Sequence, residues 1–280
     1  MHAPISTAPN STSFTVADCL LVAIDKIYET SEAIPIIGLS GPQGAGKTTA
    51  LNALYRKSTK RIATLGVDDF YLTKAERINL AHAVSPLYKT RGPAGTHDIK
   101  LIRNTIKSLL SAKPNTRTPL ISFDKASDDR RPESDWLSFE GVPDVIILEG
   151  WLLGAIAPDD FADSEPINDI ERSDEGAVWR GYQKNQLDSN YSKLWDSFDA
   201  FIHIQGPGFG AVFDWRKQQE ASNLNIDEDD LPAERISWLS EFIQHYQRLT
   251  IAMGNNSHRS GAVISIDKDR SVSNFDLTNL

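Results

Sequence analysis

Eight residues, Gly41-Pro42-Gln43-Gly44-Ala45-Gly46-Lys47-Thr48, carry the strongest chemical signal in the chain. Their spacing, G-x-x-x-x-G-K-T, describes a loop whose glycines let successive backbone N–H groups point into one concavity suited to phosphate. In such a loop Lys47 reaches the β- and γ-phosphates of a nucleoside triphosphate, here taken as ATP, and the Thr48 hydroxyl ligates Mg²⁺; Thr49 joins them as a nucleotide contact. The loop needs a strand before it and a helix after it. Ile34, Ile36, Ile37 and Leu39 supply the buried strand, and Ala50, Leu51, Leu54 and Tyr55 recur at helical spacing.

Two further acidic positions fall where this chemistry needs them. An apolar run at 61–67 ends in Asp68-Asp69-Phe70-Tyr71. At the carboxyl end of a strand this pair faces the same crevice as the loop. Asp68 there can accept the proton of an attacking hydroxyl and help order Mg²⁺, while Tyr71 can reach substrate. Helix capping is the alternative for both aspartates and the heavier one for Asp69. A second run, Val145 to Leu148, ends in Glu149, the position from which a carboxylate touches Mg²⁺ or its waters.

Three segments are rich in groups that bind anions or hydroxyls. In 88–98, glycine-bearing backbone enters a helix; Arg91 can grip a carboxylate bidentately, His97 is the histidine placed in the cleft, and Asp98 is either a substrate contact or a helix N-cap. In 123–131, Lys125 is the candidate ligand and 128–131 a solvated turn. In 213–220, Arg216 lies on a helix of a lid expected over about 206–230, where it can neutralise a transferring phosphoryl group. His203, inside an apolar strand, reads as a satisfied core residue.

These residues must be held by alternating strands and helices. Strands are expected at 34–39, 61–67, 120–123, 145–148, 200–204 and 262–266, the last closing the chain, and helices at 14–30, 98–112 and 231–250. That alternation predicts an α/β fold: a P-loop NTPase three-layer α/β/α domain over 1–280, with a mainly parallel sheet flanked by helices and a helical lid. Residues 1–13 read as a polar tail and 155–185 as a divergent surface excursion, its 158–176 part acidic and poor in apolar residues. The 29 basic and 38 acidic side chains give a net charge of −9, which argues against broad binding to nucleic acid or an anionic membrane. The single cysteine, Cys19, makes no intrachain disulfide, sits in an apolar stretch and fits a reducing, cytoplasmic setting. No apolar run is long enough to span a bilayer, and the first dozen residues lack the pattern of a signal peptide.

Taken together, GPQGAGKTT, Asp-Asp-Phe-Tyr-Leu-Thr at 68–73, Arg-Gly-x-Ala-Gly-Thr-His-Asp at 91–98, Phe-Asp-Lys-Ala at 123–126, Leu-Glu-Gly-Trp-Leu-Leu-Gly at 148–154 and Trp-Arg-x-Gln at 215–218 resemble the plant-type D-glycerate 3-kinase family. That family sits within the uridine kinase and phosphoribulokinase-like group of P-loop kinases. The resemblance implies ATP- and Mg²⁺-dependent phosphorylation of the 3-hydroxyl of D-glycerate. It implies Asp68 as base, Glu149 as the metal-linked acid and Arg216 as the lid arginine, with Arg91, His97 and Lys125 facing the acceptor. The chain departs from the family at Phe123, where a tyrosine is usual, and at Ala126, where serine is expected. Both departures concern the acceptor. A kinase for another small alcohol, such as a nucleoside or pantothenate, and an ATP-binding regulator without acceptor chemistry are the alternatives; the presence of Asp68 and Glu149 beside the loop argues against the second. No Asn-Lys-x-Asp guanine element and no Leu-Ser-Gly-Gly-Gln signature is present.

Overall fold

Apolar runs at five strand positions and amphipathic helices between them assemble into one twisted sheet covered on both faces. The computed structural model describes residues 14–280; the expected polar tail at 1–13 lies outside them. The chain runs through α1 (Val16–Thr30), β1 (Ile36–Ser40), α2 (Lys47–Lys57), β2 (Ile62–Gly66), α3 (Lys74–Ala83), α4 (Ile99–Leu110), β3 (Arg117–Leu120), β4 (Phe123–Asp124) and β5 (Asp129–Arg130). It continues through β6 (Leu137–Glu140), β7 (Val145–Gly150), α5 (Asp169–Arg172), α6 (Val178–Gln186), α7 (Ser192–Trp195), β8 (Ala200–Gln205), α8 (Phe209–Leu224), α9 (Ala233–Gly254), β9 (Ala262–Ile266) and β10 (Val272–Asp276).

The central sheet has the order β10-β9-β8-β1-β7-β2. Five strands are parallel, and β10 pairs antiparallel at the edge. Strand β1 is buried along its whole length, as a central parallel strand must be. Its side chains alternate between two cores. Ile37 and Leu39 pack with Leu20, Ile24, Leu51 and Leu54 of α1 and α2. Ile36, with Ala63, Ile146 and Leu148, packs toward Ile102, Ile106, Leu109 and Leu249 of α4 and α9. This is the expected three-layer α/β/α arrangement. Cys19 is fully buried in the first of these cores.

Three expectations need correction. The third strand, read at 120–123, is not part of the sheet: Arg117–Leu120 pairs with β6 and Phe123–Asp124 with β5 in two separate ribbons. Pro119 lacks the N–H that a central strand must donate, and the Phe123 N–H is taken by Asp69 Oδ1 at 3.1 Å. The strand at 262–266 does not close the chain, because a tight turn returns it as β10. Most consequentially, 155–185 is not simply a surface excursion. Phe161, Ile170, Trp179 and Gln183 are buried, and Glu171, 1% exposed, lies in a network of arginines.

In that network Glu171 Oε1 accepts from Arg248 Nε at 2.8 Å, and its Oε2 pairs with Arg248 Nη2 and accepts from the Ile167 N–H at 3.0 Å. Asp174 accepts from Arg180 Nε at 3.3 Å and from the backbone of Trp179 and Arg180. Buried charges of both signs thus compensate one another and fasten the acidic segment to α9, where Arg248 lies. Glu171→Ala would leave the largely buried Arg248 without its carboxylate partner. It is expected to lower unfolding stability by about 3–5 kcal/mol in urea denaturation; a change within about 0.5 kcal/mol would show that the network bears no load.

Candidate active site

The nucleotide side of the site is the turn from β1 into α2. The Gly41 N–H donates to the Gly150 carbonyl at 3.2 Å, tying the start of the loop to the end of β7. Gly44 (φ +77°) and Gly46 (φ +85°) take the left-handed conformation that glycine adopts freely. Gly44 has a second reason to lack a side chain, since a Cβ there would sit 2.5 Å from Trp215 Cβ. Lys47 and Thr48 open α2, so its N-terminal amides and positive dipole end face the loop. Lys47 Nζ donates to the Gly41 carbonyl at 2.7 Å and the Pro42 carbonyl at 3.2 Å. Burial pushes its ammonium pKa down, against the charges of Glu149 and Asp68, which pull it up. Both amide atoms of Gln43 are buried without partners. The unpaired Gln43 Nε2 donor beside a left-handed backbone cradle fits a polyanionic ligand.

The acceptor side begins where β2 ends. A single 3₁₀ turn, Val67–Phe70, carries Asp68 and Asp69. Asp68 Oδ1 accepts from the Tyr71 hydroxyl and Oδ2 from Lys125 Nζ, each at 2.7 Å. Burial would raise this carboxyl, but the Lys125 charge and the hydrogen bonds from Lys125 and Tyr71 outweigh it and hold the pKa well below the usual carboxylate range. Asp69 does a different job, anchoring the Phe123 backbone. Glu149 lies beside Gly66 of β2 and Leu39 of β1 in the parallel register, and burial raises its carboxyl. Thr48, Glu149 and Asp68 are oxygen donors suited to a hard cation. Among the described residues no group of three or more His, Cys, Asp or Glu converges as a metal cage. Mg²⁺ binds one or two carboxylates and completes its octahedron with phosphate and water.

The other expected acceptor residues are placed unevenly. Tyr71 is buried and stacks on His97, with ring centroids 4.8 Å apart. His97 is itself buried, its Nδ1 2.6 Å from the Tyr191 hydroxyl and its Nε2 without a partner. Burial lowers its pKa to about 4, so the ring is neutral near pH 7. Arg91 Nη1 is paired with Asp128 Oδ1, and Arg77 holds the other oxygen of Asp128 at 2.9 Å. Asp98 corrects the substrate-contact expectation in favour of its alternative: Oδ1 caps α4 through the Leu101 N–H at 2.9 Å, and Oδ2 faces Arg130 at 3.5 Å. The segment 128–131 is likewise more than a solvated turn, since Asp128 and Arg130 are both engaged. Arg216, on α8, donates through Nη1 to Gln219 at 2.5 Å and lies over the Phe242 ring of α9, while its Nε is buried and unpartnered. His203 is the expected core residue, with Nε2–H donating to the Arg259 carbonyl at 2.8 Å.

No protein-family model matches the chain. It is 28% identical over 273 residues to an uncharacterized kinase of Schizosaccharomyces pombe, covering 89% of this chain and 96% of that protein. It is 30% identical over 260 residues to the chloroplastic D-glycerate 3-kinase of Arabidopsis thaliana, covering 86% of this chain and 54% of that protein, so it spans about half the plant enzyme's length. The structure of D-glycerate 3-kinase from Cryptococcus neoformans superposes with a TM-score of 0.71 at 25% identity, over 93% of this chain and 97% of that one. The chain is thus homologous to these kinases over most of its length and shares the fold of the Cryptococcus enzyme.

Around this site several supporting residues carry no motif signal. Tyr246 of α9 donates its hydroxyl to the Arg91 carbonyl at 2.9 Å. A Cβ on Gly92 (φ +116°) would lie 2.0 Å from that hydroxyl, so the Arg-Gly pair is a packing requirement as well as a loop signal. Tyr191 sits on a π-helical turn, Leu187–Tyr191, a rare distortion that re-aims one side chain; its hydroxyl meets both the Gly95 N–H and His97. Trp215 was legible as part of a motif but not as the residue that floors the loop.

The electrostatics of Asp68 give a pH prediction. A carboxylate with a depressed pKa is present as base above that pKa and lost as pH falls through it. Lys125→Met removes the main opposing charge and leaves burial in command, so the acid limb of kcat/KM should move to higher pH. An acid limb unchanged from wild type would contradict the coupling.

Proposed function

We propose that the protein transfers the γ-phosphoryl group of ATP to the 3-hydroxyl of D-glycerate, giving 3-phosphoglycerate and ADP. The observation that carries this reading is Asp68, an ionised carboxylate at a strand end beside the loop, with its charge acting on Lys47 and its oxygens held by Tyr71 and Lys125. A kinase for an alcohol needs such a base near the triphosphate; a nucleotide-binding regulator does not.

In this reading Lys125, 62% exposed, exchanges Asp68 for the acceptor carboxylate when substrate enters. The exchange frees an Asp68 oxygen for the 3-hydroxyl proton. Arg91 can turn to the same carboxylate at low cost, because Arg77 continues to compensate Asp128. As the acceptor oxygen bonds to phosphorus and the bond to ADP breaks, Lys47 and Arg216 neutralise the phosphoryl oxygens. Thr48, Glu149 and Asp68 would hold Mg²⁺, which would supply further neutralisation of phosphate charge. Arg216 and the exposed stretch at 222–230 form the lid in this reading, and Trp215 roots it in the core. Among the described residues no helix is long and apolar enough to cross a membrane, and one buried thiol supports a cytoplasmic site of action.

The test is an acceptor panel with MgATP and coupled ADP detection. D-Glycerate should turn over at least about tenfold faster than nucleosides or pantothenate, with NMR placing phosphate on carbon 3. Turnover of a nucleoside without turnover of D-glycerate would replace this acceptor. Arg91→Ala should raise the KM for D-glycerate about tenfold and leave that for ATP within about twofold; equal changes would count against carboxylate binding.

A further inference from the structure

The turn between β9 and β10 has no place in the chemistry above, yet it reaches the outside of the phosphate loop. Arg270 adopts φ +67° in that turn, a conformation residues with a Cβ rarely take and one that clusters at functional positions. Its Nε donates to the Gly44 carbonyl at 2.8 Å, and its Nη2 donates to Gln218 Oε1 of α8, also at 2.8 Å. The guanidinium lies over the Trp215 ring, 5.3 Å from its centroid, and the Trp215 indole N–H donates to the Lys268 carbonyl at 2.7 Å. Two hydrogen bonds and one stacking contact therefore meet at the Arg270 side chain and, with the Trp215–Lys268 bond, join three segments distant in sequence.

We propose that Arg270 is a positioning residue that sets the conformation of the phosphate loop and links it to the helix carrying Arg216. The Gly44 carbonyl is drawn outward to Arg270, while the next N–H, of Ala45, turns inward to the Pro42 carbonyl at 3.3 Å. The peptide plane between Gly44 and Ala45 is thereby fixed in the orientation that the left-handed Gly44 requires. Gln218 stands two residues beyond Arg216 on α8, so the same guanidinium sets the helix against the loop. Only a planar fork can make both bonds while stacking on an indole; a lysine ammonium supplies the charge without that geometry. The inference rests on the ATP half of the proposed function and not on the identity of the acceptor.

Calorimetric titration of Arg270→Ala and Arg270→Lys with the non-hydrolysable ATP analogue AMP-PNP and Mg²⁺, without acceptor, tests it. Both variants should bind about tenfold more weakly than wild type, and amide hydrogen exchange at residues 43–46 should accelerate in both. Gln218→Ala keeps the bond to Gly44, so it should bind the analogue within about twofold of wild type yet lose about threefold in kcat. Wild-type affinity in Arg270→Lys would reduce the residue to its charge and overturn the proposal, as would unchanged exchange in the loop. Wild-type kcat in Gln218→Ala would overturn the link to α8. Should Arg270→Ala fail to fold, the lysine and Gln218 variants carry the test by themselves. Weak acceptor turnover with these binding results intact would instead count against D-glycerate.

Discussion

The parallel register of β2, β7 and β1 is the constraint on which the site depends. Glu149 stands opposite Leu39 on one side and Gly66 on the other, and Ser40 opposite Gly150. Three chain segments therefore leave the sheet at one level: the phosphate loop, the metal-side acid and the turn bearing Asp68. A slip of one residue in any pair would turn its buried face outward and misplace one of them. Burial enforces the register. Ile36, Ile37, Leu39 and Val145 to Leu148 are covered on both faces, so each strand has a helix layer to satisfy on either side. The same packing that stabilises the fold thus sets the spacing of the chemistry.

Around that rim, the carboxylates of Asp68 and Asp128 each have a partner that can be exchanged and a second that remains. Asp68 is kept ionised by Lys125 and Tyr71 against the cost of burial. Asp128 has two arginines, so one can leave without stranding a carboxylate. His97 is neutral and sits beneath Tyr71 as a wedge, which avoids a second cation competing for Asp68. Helix α9 acts as the strut behind these groups. It presents Phe242 to Arg216 and Tyr246 to the Arg91 backbone, and Arg248 fixes it through the buried Glu171.

The strands of the sheet and the loop between β1 and α2 were readable because each is a short apolar run ended by glycine or charge, a local property. The run at 120–123 has the same look, and only Pro119 and a distant Asp69 side chain remove it from the sheet. The acidic stretch at 158–176 misled for a complementary reason. Of its compensating cations Arg180 lies just beyond it, but Arg248 stands 77 residues from Glu171 on α9, and no local composition reveals that pairing. Strand β10 is polar and half-exposed, so it lacks an apolar signature. Among site residues, Asp68, Glu149 and Lys47 follow from strand ends and spacing. Asp98 could be read either as ligand or cap, and the Leu101 N–H decides for the cap. Arg270, Tyr191 and Tyr246 depend on contacts across 94 to 226 residues of sequence, which only the folded chain brings together.

The central claim is that donor and acceptor halves meet at Asp68 and that its carboxylate, not its bulk, is needed. The most direct measurement compares Asp68→Asn with wild type in single-turnover phosphoryl transfer to D-glycerate, alongside Mg²⁺-dependent nucleotide binding. The account predicts a loss of about 10²–10⁴-fold in the transfer rate with nucleotide affinity within about threefold of wild type. A transfer rate close to wild type, or a loss of nucleotide binding equal to the loss of rate, would contradict it.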